Sequence, residues 1–223
     1  MIPGLGSDAA VWQPTIDELT PDVEVQIGNT LGDDNLPAIA ARILRDAPDR
    51  FALAGISMGG MIALEIMSVA PERVTRLMLC DTNARPDTPE QTAQRLATNA
   101  AMLGATDLAA LAAPGISYMI HPSADRSVRT ALIQMTLRVG AAAYVRQNNA
   151  VMARGDARPG LVEISVPTMG VVGANDLMTP IALSQEICDG IDGAALRIIP
   201  DCGHLPSIEK PKDLAELMRI WLR

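Results

Sequence analysis

The spacing of apolar positions changes repeatedly over the first 80 residues. Short apolar or alternating runs predict strands, and apolar residues three or four positions apart predict helices. The predicted strands are Met1–Pro3, Val23–Ile27, Phe51–Gly55 and Val74–Cys80. The predicted helices between them are Ala9–Leu19, Leu36–Arg45 and Met61–Ala70. This alternation predicts an α/β fold, in which a parallel sheet is covered by helices on both faces.

Polar residues and prolines mark the ends of these elements. Ser7 or Asp8 can cap the first predicted helix, and Asp34 or Asn35 the second, because these side chains accept hydrogen bonds from free helical N–H groups. The Thr20-Pro21-Asp22 run is expected to end the first helix.

The alternation stops between Arg85 and Arg158, where no convincing strand is present. Thr88-Pro89-Glu90-Gln91 has the pattern of a capping box, which predicts a helix start. Four short helices are predicted at Thr92–Leu103, Asp107–Ala112, Arg126–Val139 and Ala141–Arg154. Strands and helices then alternate again, at Val166–Val172, Pro180–Cys188, Leu196–Ile199 and Pro211–Leu222. We therefore predict a core domain of residues 1–84 and 159–223 and an inserted helical cap of residues 85–158.

Composition excludes several functional classes. The 223 residues carry a net charge of −8, which disfavours a surface for nucleic acid or anionic membrane. No long uncharged apolar window and no signal-peptide pattern is present, so we expect no membrane span. The three cysteines (Cys80, Cys188 and Cys202) lack metal-site spacing, which indicates reduced thiols and a cytoplasmic protein. With only two histidines, a histidine-rich metal site is not expected.

The Gly55-Ile56-Ser57-Met58-Gly59 run stands between a predicted strand and a predicted helix. This is the context of a nucleophile elbow, a turn so tight that the positions two residues from the serine must lack bulk. Alone, the five-residue pattern is weak, because a glycine-rich turn without chemistry can share it. Its position makes Ser57 the candidate nucleophile.

A serine nucleophile needs a base, and the base needs a carboxylate that orients it. Asp176 and His204 each follow a predicted strand, so both are expected near Ser57 at the carboxyl edge of the sheet. Asp81, directly after another strand, is the rival acid; otherwise it is expected to hydrogen-bond the loop into the cap. Asp201 is interpreted as a solvated turn residue and Cys202 as a buried small side chain.

Four motifs resemble those of α/β-hydrolase-fold proteins of the small lipase/esterase-like group. They are Pro3-Gly4-Leu5 with Trp12, Gly55-x-Ser57-x-Gly59-Gly60, Gly173-x-Asn175-Asp176-x-x-x-Pro180, and Gly203-His204 with Glu209-x-Pro211. The resemblance covers essentially the whole sequence, and the order Ser57, Asp176, His204 is the one this fold uses. It implies a sheet of about six strands in the order 2-1-3-4-5-6, with the amino-terminal strands of the family missing or short.

The resemblance also implies an oxyanion hole formed by the backbone N–H groups of Leu5 and Met58, residues that would also contact the substrate. Pro3-Gly4 replaces the usual His-Gly pair of the family. The expected activity is hydrolysis of carboxylic esters through an acyl-enzyme, with no metal and no organic cofactor. Thioesterase, lactonase, C–C hydrolase, perhydrolase or acyltransferase chemistry on the same triad is the alternative, and a non-catalytic small-ligand-binding protein is the alternative of another class. The expected partner is a small-molecule ester or other acyl substrate, and the protein is expected to be a monomer or homodimer.

Charge is unevenly distributed along the chain. Residues 85–158 contain eight arginines and five acidic residues, although the whole chain is acidic. A basic cap docked on an acidic body and an anionic substrate drawn under the cap both fit this pattern. His121, in the same segment, is interpreted as a turn residue, with a substrate contact as the alternative.

Overall fold

The computed structural model describes residues 1–19 and 23–223. Its strands form one parallel sheet in the order β1-β2-β3-β4. They are β1 (Phe51–Ile56), β2 (Val74–Cys80), β3 (Thr168–Gly173) and β4 (Ala195–Ile199). Since all four are parallel, the loops that follow them meet at one edge of the sheet.

Helices cover both faces of the sheet, as the alternating pattern predicts. They are α1 (Gln13–Glu18), α2 (Leu36–Asp46), α3 (Met58–Val69), α4 (Pro89–Gly104), α5 (Leu108–Met119), α6 (Arg126–Met152), α7 (Ile181–Gly190), α8 (Pro206–Glu209) and α9 (Pro211–Trp221). Short 3₁₀ helices lie at Ala9–Val11, Pro71–Arg73 and Arg158–Glu163.

The two strands predicted before β1 are not formed as regular strands. Ile2 makes a single parallel bridge to Gly55, and Val23–Ile27 is not a strand. Two hydrogen bonds join the backbone of this stretch to Met1, from the Met1 amine to the Gln26 carbonyl (2.7 Å) and from the Gly28 N–H to the Met1 carbonyl (2.9 Å). These bonds keep the predicted spatial order, but two bonds are too few for a ladder, so four regular strands replace the predicted six.

Predicted caps are formed at the start of the 3₁₀ helix Ala9–Val11, of α2 and of α4. Asp8 accepts from the Ala10 N–H and Asn35 from the Ala38 N–H. Thr88 forms the predicted capping box with Gln91 at the start of α4. The helix break predicted at Thr20-Pro21-Asp22 lies outside the described residues.

The segment between β2 and β3 is helical, as predicted. The third and fourth predicted helices are the two halves of α6, and they meet at a kink at Gly140, the predicted boundary between them, where φ is +71°. Glycine adopts such an angle without steric cost. The division into a core and a cap stays a prediction, and residues 85–158 are called the proposed cap below.

Two hydrophobic clusters hold the helices on the sheet. One packs α2, α3 and α7 against one face, and the other packs α1 and α9 against the opposite face. Trp221 of α9 is buried and donates its indole N–H to the Leu77 carbonyl of β2 (3.0 Å). Within the described ranges, no helix combines the length and the apolar character that crossing a membrane requires.

Candidate active site

Ser57 stands in the turn between β1 and α3 with φ of 55° and ψ of −119°. A positive φ is uncommon for a residue with a side chain and marks a strained turn. The Ser57 N–H donates to the Cys80 carbonyl (2.9 Å), and the Thr82 hydroxyl donates to the Ser57 carbonyl (2.7 Å). A Cβ at Gly55 would collide with the Gly59 carbonyl, so the turn closes only because residue 55 is glycine.

The side chains of Ser57, His204 and Asp176 form one hydrogen-bonded chain. Ser57 Oγ lies 2.9 Å from His204 Nε2, and His204 Nδ1 lies 2.8 Å from Asp176 Oδ2. Since an ionised carboxylate only accepts hydrogen bonds, Nδ1 carries the proton and the Nε2 lone pair faces the serine. His204 and Asp176 are buried, whereas Ser57 is partly exposed. The three residues selected from the sequence are thus brought together in the geometry that activates a serine.

Loops after β3 and β4 place the acid and the base. Asn175 donates its backbone N–H to the Cys202 carbonyl (2.8 Å), which ties the Asp176 loop to the His204 loop. His204 donates its own backbone N–H to the Met119 carbonyl at the end of α5 (2.8 Å). The proposed cap therefore contacts the loop that carries the base.

The loop at Leu5 lies beside the serine. An ideal Cβ on Gly4 would stand 3.2 Å from Ser57 Cβ and 3.8 Å from its Oγ, so glycine lets the loop approach the side chain. Among the described residues, neither the Leu5 nor the Met58 backbone N–H has a hydrogen-bond acceptor. Both donors are thus free for an oxyanion, and their role stays a proposal.

Residues 1–217 match the model of the alpha/beta hydrolase family. The chain belongs to the alpha/beta hydrolase family. The α/β-hydrolase fold predicted from the four motifs is thereby confirmed.

Individual relatives are distant but extend over most of the chain. A pimeloyl-[acyl-carrier protein] methyl ester esterase of Aromatoleum aromaticum is 25% identical over 100% of this chain and 97% of its own length. The biotin biosynthesis bifunctional protein of Cellvibrio japonicus is 25% identical over 96% of this chain, which spans 45% of that longer protein. The structure of a thermophilic esterase from Thermogutta terrifontis, 25% identical, superimposes with a TM-score of 0.86 and covers 100% of this chain and 88% of that one.

Two polar residues that sequence reasoning missed support the triad of this alpha/beta hydrolase. Thr179 donates its hydroxyl to Asp176 Oδ2 (2.5 Å) and its N–H to Asp176 Oδ1 (3.0 Å). Glu209 accepts from the N–H groups of Gly203 and Leu205, on either side of His204, at 3.0 and 2.9 Å. Both residues lie within or beside quoted motifs, but only the folded loops show which backbone groups they bind.

Hydrogen bonding keeps Asp176 ionised. Burial alone would raise the pKa of this carboxyl group. The hydrogen bond and charge of His204, with the hydrogen bonds from Thr179, outweigh burial and lower the pKa from 3.8 to about 2. Asp176 is therefore a carboxylate at neutral pH and can stabilise a protonated His204.

Asp81 lies next to this pair. One carboxyl oxygen of Asp81, one of Asp176 and a ring nitrogen of His204 lie within 4.8 Å of one another. Asp81 Oδ1 accepts from the Gly173 N–H (2.8 Å) and so binds the end of β3. The sequence predicts a hydrogen bond from Asp81 to the loop into the proposed cap instead, and this prediction is wrong. Asp81 Oδ2 is buried and unpaired within the part of the chain that the structure describes. Burial, and then the charge of Asp176, raises the pKa of Asp81 well above its usual range, which favours a neutral carboxylic acid.

Replacing Asp81 with asparagine is expected to increase stability at neutral and alkaline pH. The raised pKa of Asp81 means that folding takes up a proton once the pH exceeds the ordinary value of 3.8. The contribution of neutral Asp81 to the free energy of unfolding is therefore fully present below that pH. It is lost as the pH rises towards the pKa of Asp81 in the folded protein. Asparagine keeps an oxygen for Gly173, tolerates the φ of 45° and does not titrate.

The measurement is urea unfolding of wild type and Asp81→Asn between pH 4 and 9. The titratable groups that face Asp81 are Asp176, His204, Glu209, Cys80 and Cys202, and both proteins contain them. The free energy of unfolding of Asp81→Asn should be close to that of wild type at pH 4. Above pH 4 it should exceed that of wild type by a difference that grows by at most about 1.4 kcal/mol per pH unit. If the free energies of unfolding of the two proteins changed with pH in parallel, Asp81 would have an ordinary pKa in the folded protein.

The structure agrees with the sequence interpretation of the three remaining candidates, His121, Asp201 and Cys202. His121 Nδ1 lies 2.7 Å from Ser123 Oγ in an exposed turn, in agreement with its interpretation as a turn residue. Asp201 is an exposed turn residue with φ of 48°. Cys202 is fully buried, and burial raises the pKa of its thiol, which disfavours the reactive thiolate.

Proposed function

We propose that this protein is a serine hydrolase that cleaves carboxylic esters through an acyl-enzyme. The observation that carries the proposal is the continuous hydrogen-bonded chain from Ser57 Oγ through His204 to Asp176. The esterase relatives support the choice of bond. The Aromatoleum relative is named for methyl ester hydrolysis, so methyl esters are the first substrates to test.

In the first half of the reaction, Ser57 Oγ attacks the acyl carbon while its proton passes to His204 Nε2. Asp176 holds the imidazole in the tautomer that accepts this proton and stabilises the imidazolium that forms. The backbone N–H groups of Leu5 and Met58 receive the negative charge on the former carbonyl oxygen. Each such donor contributes on the order of 3 kcal/mol to the transition state. His204 then gives its proton to the leaving alcohol.

In the second half, a water molecule replaces the alcohol. His204 Nε2 removes a proton from the water as it attacks the acyl-enzyme, and returns the proton to Ser57 when the acid leaves. Both halves use the same base and the same oxyanion donors. The proposed mechanism uses only protein groups and water.

A fluorophosphonate that reacts with activated serines tests the proposal directly. We expect intact-mass spectrometry to show one label per chain, and peptide mapping to place it on Ser57. A panel of methyl, lactone and thioester substrates then separates the alternative chemistries. An unlabelled protein that binds acyl compounds without turnover would favour the non-catalytic class.

We also propose that residues 85–158 act as a cap and that the protein works in the cytoplasm as a monomer or homodimer. The buried, unpaired thiols of Cys80, Cys188 and Cys202 support a reducing compartment. Arg85 and Arg138 of the proposed cap pair with Glu186 (2.9 Å) and Asp8 (2.7 Å) outside it. These pairs support docking of a basic cap on an acidic body.

A further inference from the structure

The Leu5 loop is bound by a side chain from the proposed cap. Gln147, in the second half of α6, is fully buried. Its Oε1 accepts from the Gly6 N–H (2.8 Å), and its Nε2 donates to Thr30 Oγ1 (2.9 Å). The amide thus joins the loop at Leu5 to a second loop of the core, across 141 and 117 residues of sequence.

We infer that Gln147 is a positioning residue for the oxyanion donor at Leu5, an inference that rests on the function proposed above. In the described part of the chain, Gln147 hydrogen-bonds Gly6 and Thr30, and neither the nucleophile nor the base. It acts on the reaction through the backbone of the loop that faces Ser57.

Turn geometry links Gln147 to the Leu5 N–H. The Ser7 N–H donates to the Gly4 carbonyl (3.2 Å), and Gly6 has φ of +70°, the signature of a type II turn with glycine in its third position. Because the peptide unit is planar, the bond to the Gly4 carbonyl also fixes the direction of the Leu5 N–H. The next peptide unit carries the Gly6 N–H, and Gln147 Oε1 holds it. Both peptide units that flank Leu5 are therefore fixed by hydrogen bonds.

Other residues of α6 reinforce this contact. The Tyr144 ring lies 3.4 Å from the position that a Cβ on Gly6 would occupy. Arg146 donates twice to the Leu31 carbonyl, at 3.0 and 2.9 Å, next to the Thr30 contact. Arg138 pairs with Asp8 at the far end of the Leu5 loop (2.7 Å). Since all of these contacts except the Arg138 pair come from the half of α6 that follows Gly140, the Leu5 loop and this half of α6 are expected to keep a fixed relative position.

Without the Gln147 oxygen, the part-buried Gly6 N–H would lose its acceptor. The Leu5–Gly6 peptide would then lose the bond that holds it, and the turn that presents the Leu5 N–H to the oxyanion would loosen. A misplaced donor weakens the transition state more than the bound ester, because the negative charge develops only in the transition state. The expected consequence is a loss in kcat with little change in KM.

The test compares Gln147→Met with Thr30→Val. Methionine keeps the length of the side chain but offers no acceptor of comparable strength to Gly6. Valine keeps the shape of threonine and removes only the other partner of Gln147, which leaves the bond to Gly6. Gln147→Met leaves two groups without their partner, the Gly6 N–H and Thr30 Oγ1, and Thr30→Val leaves one, the Gln147 NH₂. Both variants are therefore expected to lower Tm, Gln147→Met by more.

For Gln147→Met we expect kcat for an ester to fall about 10- to 100-fold, with KM within about threefold. Affinity for a boronic acid that forms a tetrahedral adduct with Ser57 should fall by the same factor. For Thr30→Val we expect kcat within about threefold of wild type despite the lowered Tm. Equal losses of kcat in both variants, or an unchanged kcat in Gln147→Met, would overturn the proposal.

Amide hydrogen exchange at Gly6 provides a readout that is independent of activity. We expect protection in wild type and Thr30→Val and rapid exchange in Gln147→Met. An unprotected Gly6 N–H in wild type would refute the positioning role even if esters were hydrolysed. A protected Gly6 in a wild-type protein that hydrolyses no ester would instead refute the proposed function and, with it, the catalytic part of this inference.

Discussion

Replacing Ser57 with alanine is expected to lower kcat for a carboxylic ester by about 10⁶-fold, because among the described residues only the Ser57 hydroxyl is hydrogen-bonded to His204 Nε2, whereas the Thr179 hydroxyl faces Nδ1. Ser57 Oγ is the group 2.9 Å from His204 Nε2, and its removal leaves only the oxyanion donors and substrate binding to accelerate the reaction. The strained turn itself does not depend on the hydroxyl, since the bonds that close it involve the backbone of Ser57. The variant should therefore fold with a Tm close to that of wild type.

Burst kinetics with a chromogenic ester provide the measurement. Wild type should release one equivalent of alcohol rapidly where deacylation is slow, and Ser57→Ala should show no burst and no fluorophosphonate label. Ser68→Ala is the matched control, because Ser68 is exposed on α3 and its hydroxyl donates to the Glu65 carbonyl of the same helix (2.8 Å). Its activity should stay within about twofold of wild type. A burst that survives in Ser57→Ala would rule out the proposed nucleophile.

Local rules predicted much of the fold. The apolar run Val74–Cys80 predicts the bounds of β2 to the residue, and four consecutive residues, Thr88-Pro89-Glu90-Gln91, predict the capping box of α4. These features depend on neighbours in sequence, where spacing and side-chain chemistry decide the conformation. Val23–Ile27 shows the limit of the approach: alternation predicts a strand, but a ladder also needs a partner that pairs along its length, and Met1 provides two hydrogen bonds.

The residues of the candidate site also fall into those that the sequence predicts and those that it does not. Ser57, Asp176 and His204 could be selected because each follows a predicted strand, and parallel strands bring their carboxyl ends together. Glu209 and Gln147 could not, because their hydrogen-bond partners are backbone N–H groups of loops whose shape the sequence does not reveal. Pattern reasoning therefore finds groups that stand at strand ends more readily than the side chains that hold the loops.

Asparagine in place of Asp176 is expected to lower kcat by about 10⁴-fold with the fold intact. Asp176 Oδ1 accepts from the N–H groups of Met178 (2.8 Å) and Thr179 (3.0 Å), so the asparagine oxygen should occupy that position. The NH₂ group would then face His204 Nδ1, now 2.8 Å from Oδ2. Because the amide donates, Nδ1 would have to accept, and the proton of the imidazole would move to Nε2. In that tautomer His204 cannot take the proton of Ser57.

Asp81→Asn is the matched control for this effect, and it also decides between the two acids. Asparagine at position 81 can still accept from the Gly173 N–H and can donate towards Asp176, as a neutral carboxylic acid would. The kcat of Asp81→Asn should fall by less than about tenfold, although the same chemical change is made in a neighbouring carboxyl group. The reverse result, with Asp81→Asn inactive and Asp176→Asn active, would make Asp81 the triad acid. Losses of 10⁴-fold in both would mean that the two carboxyl groups act as one unit, with a shared proton that neither asparagine can replace.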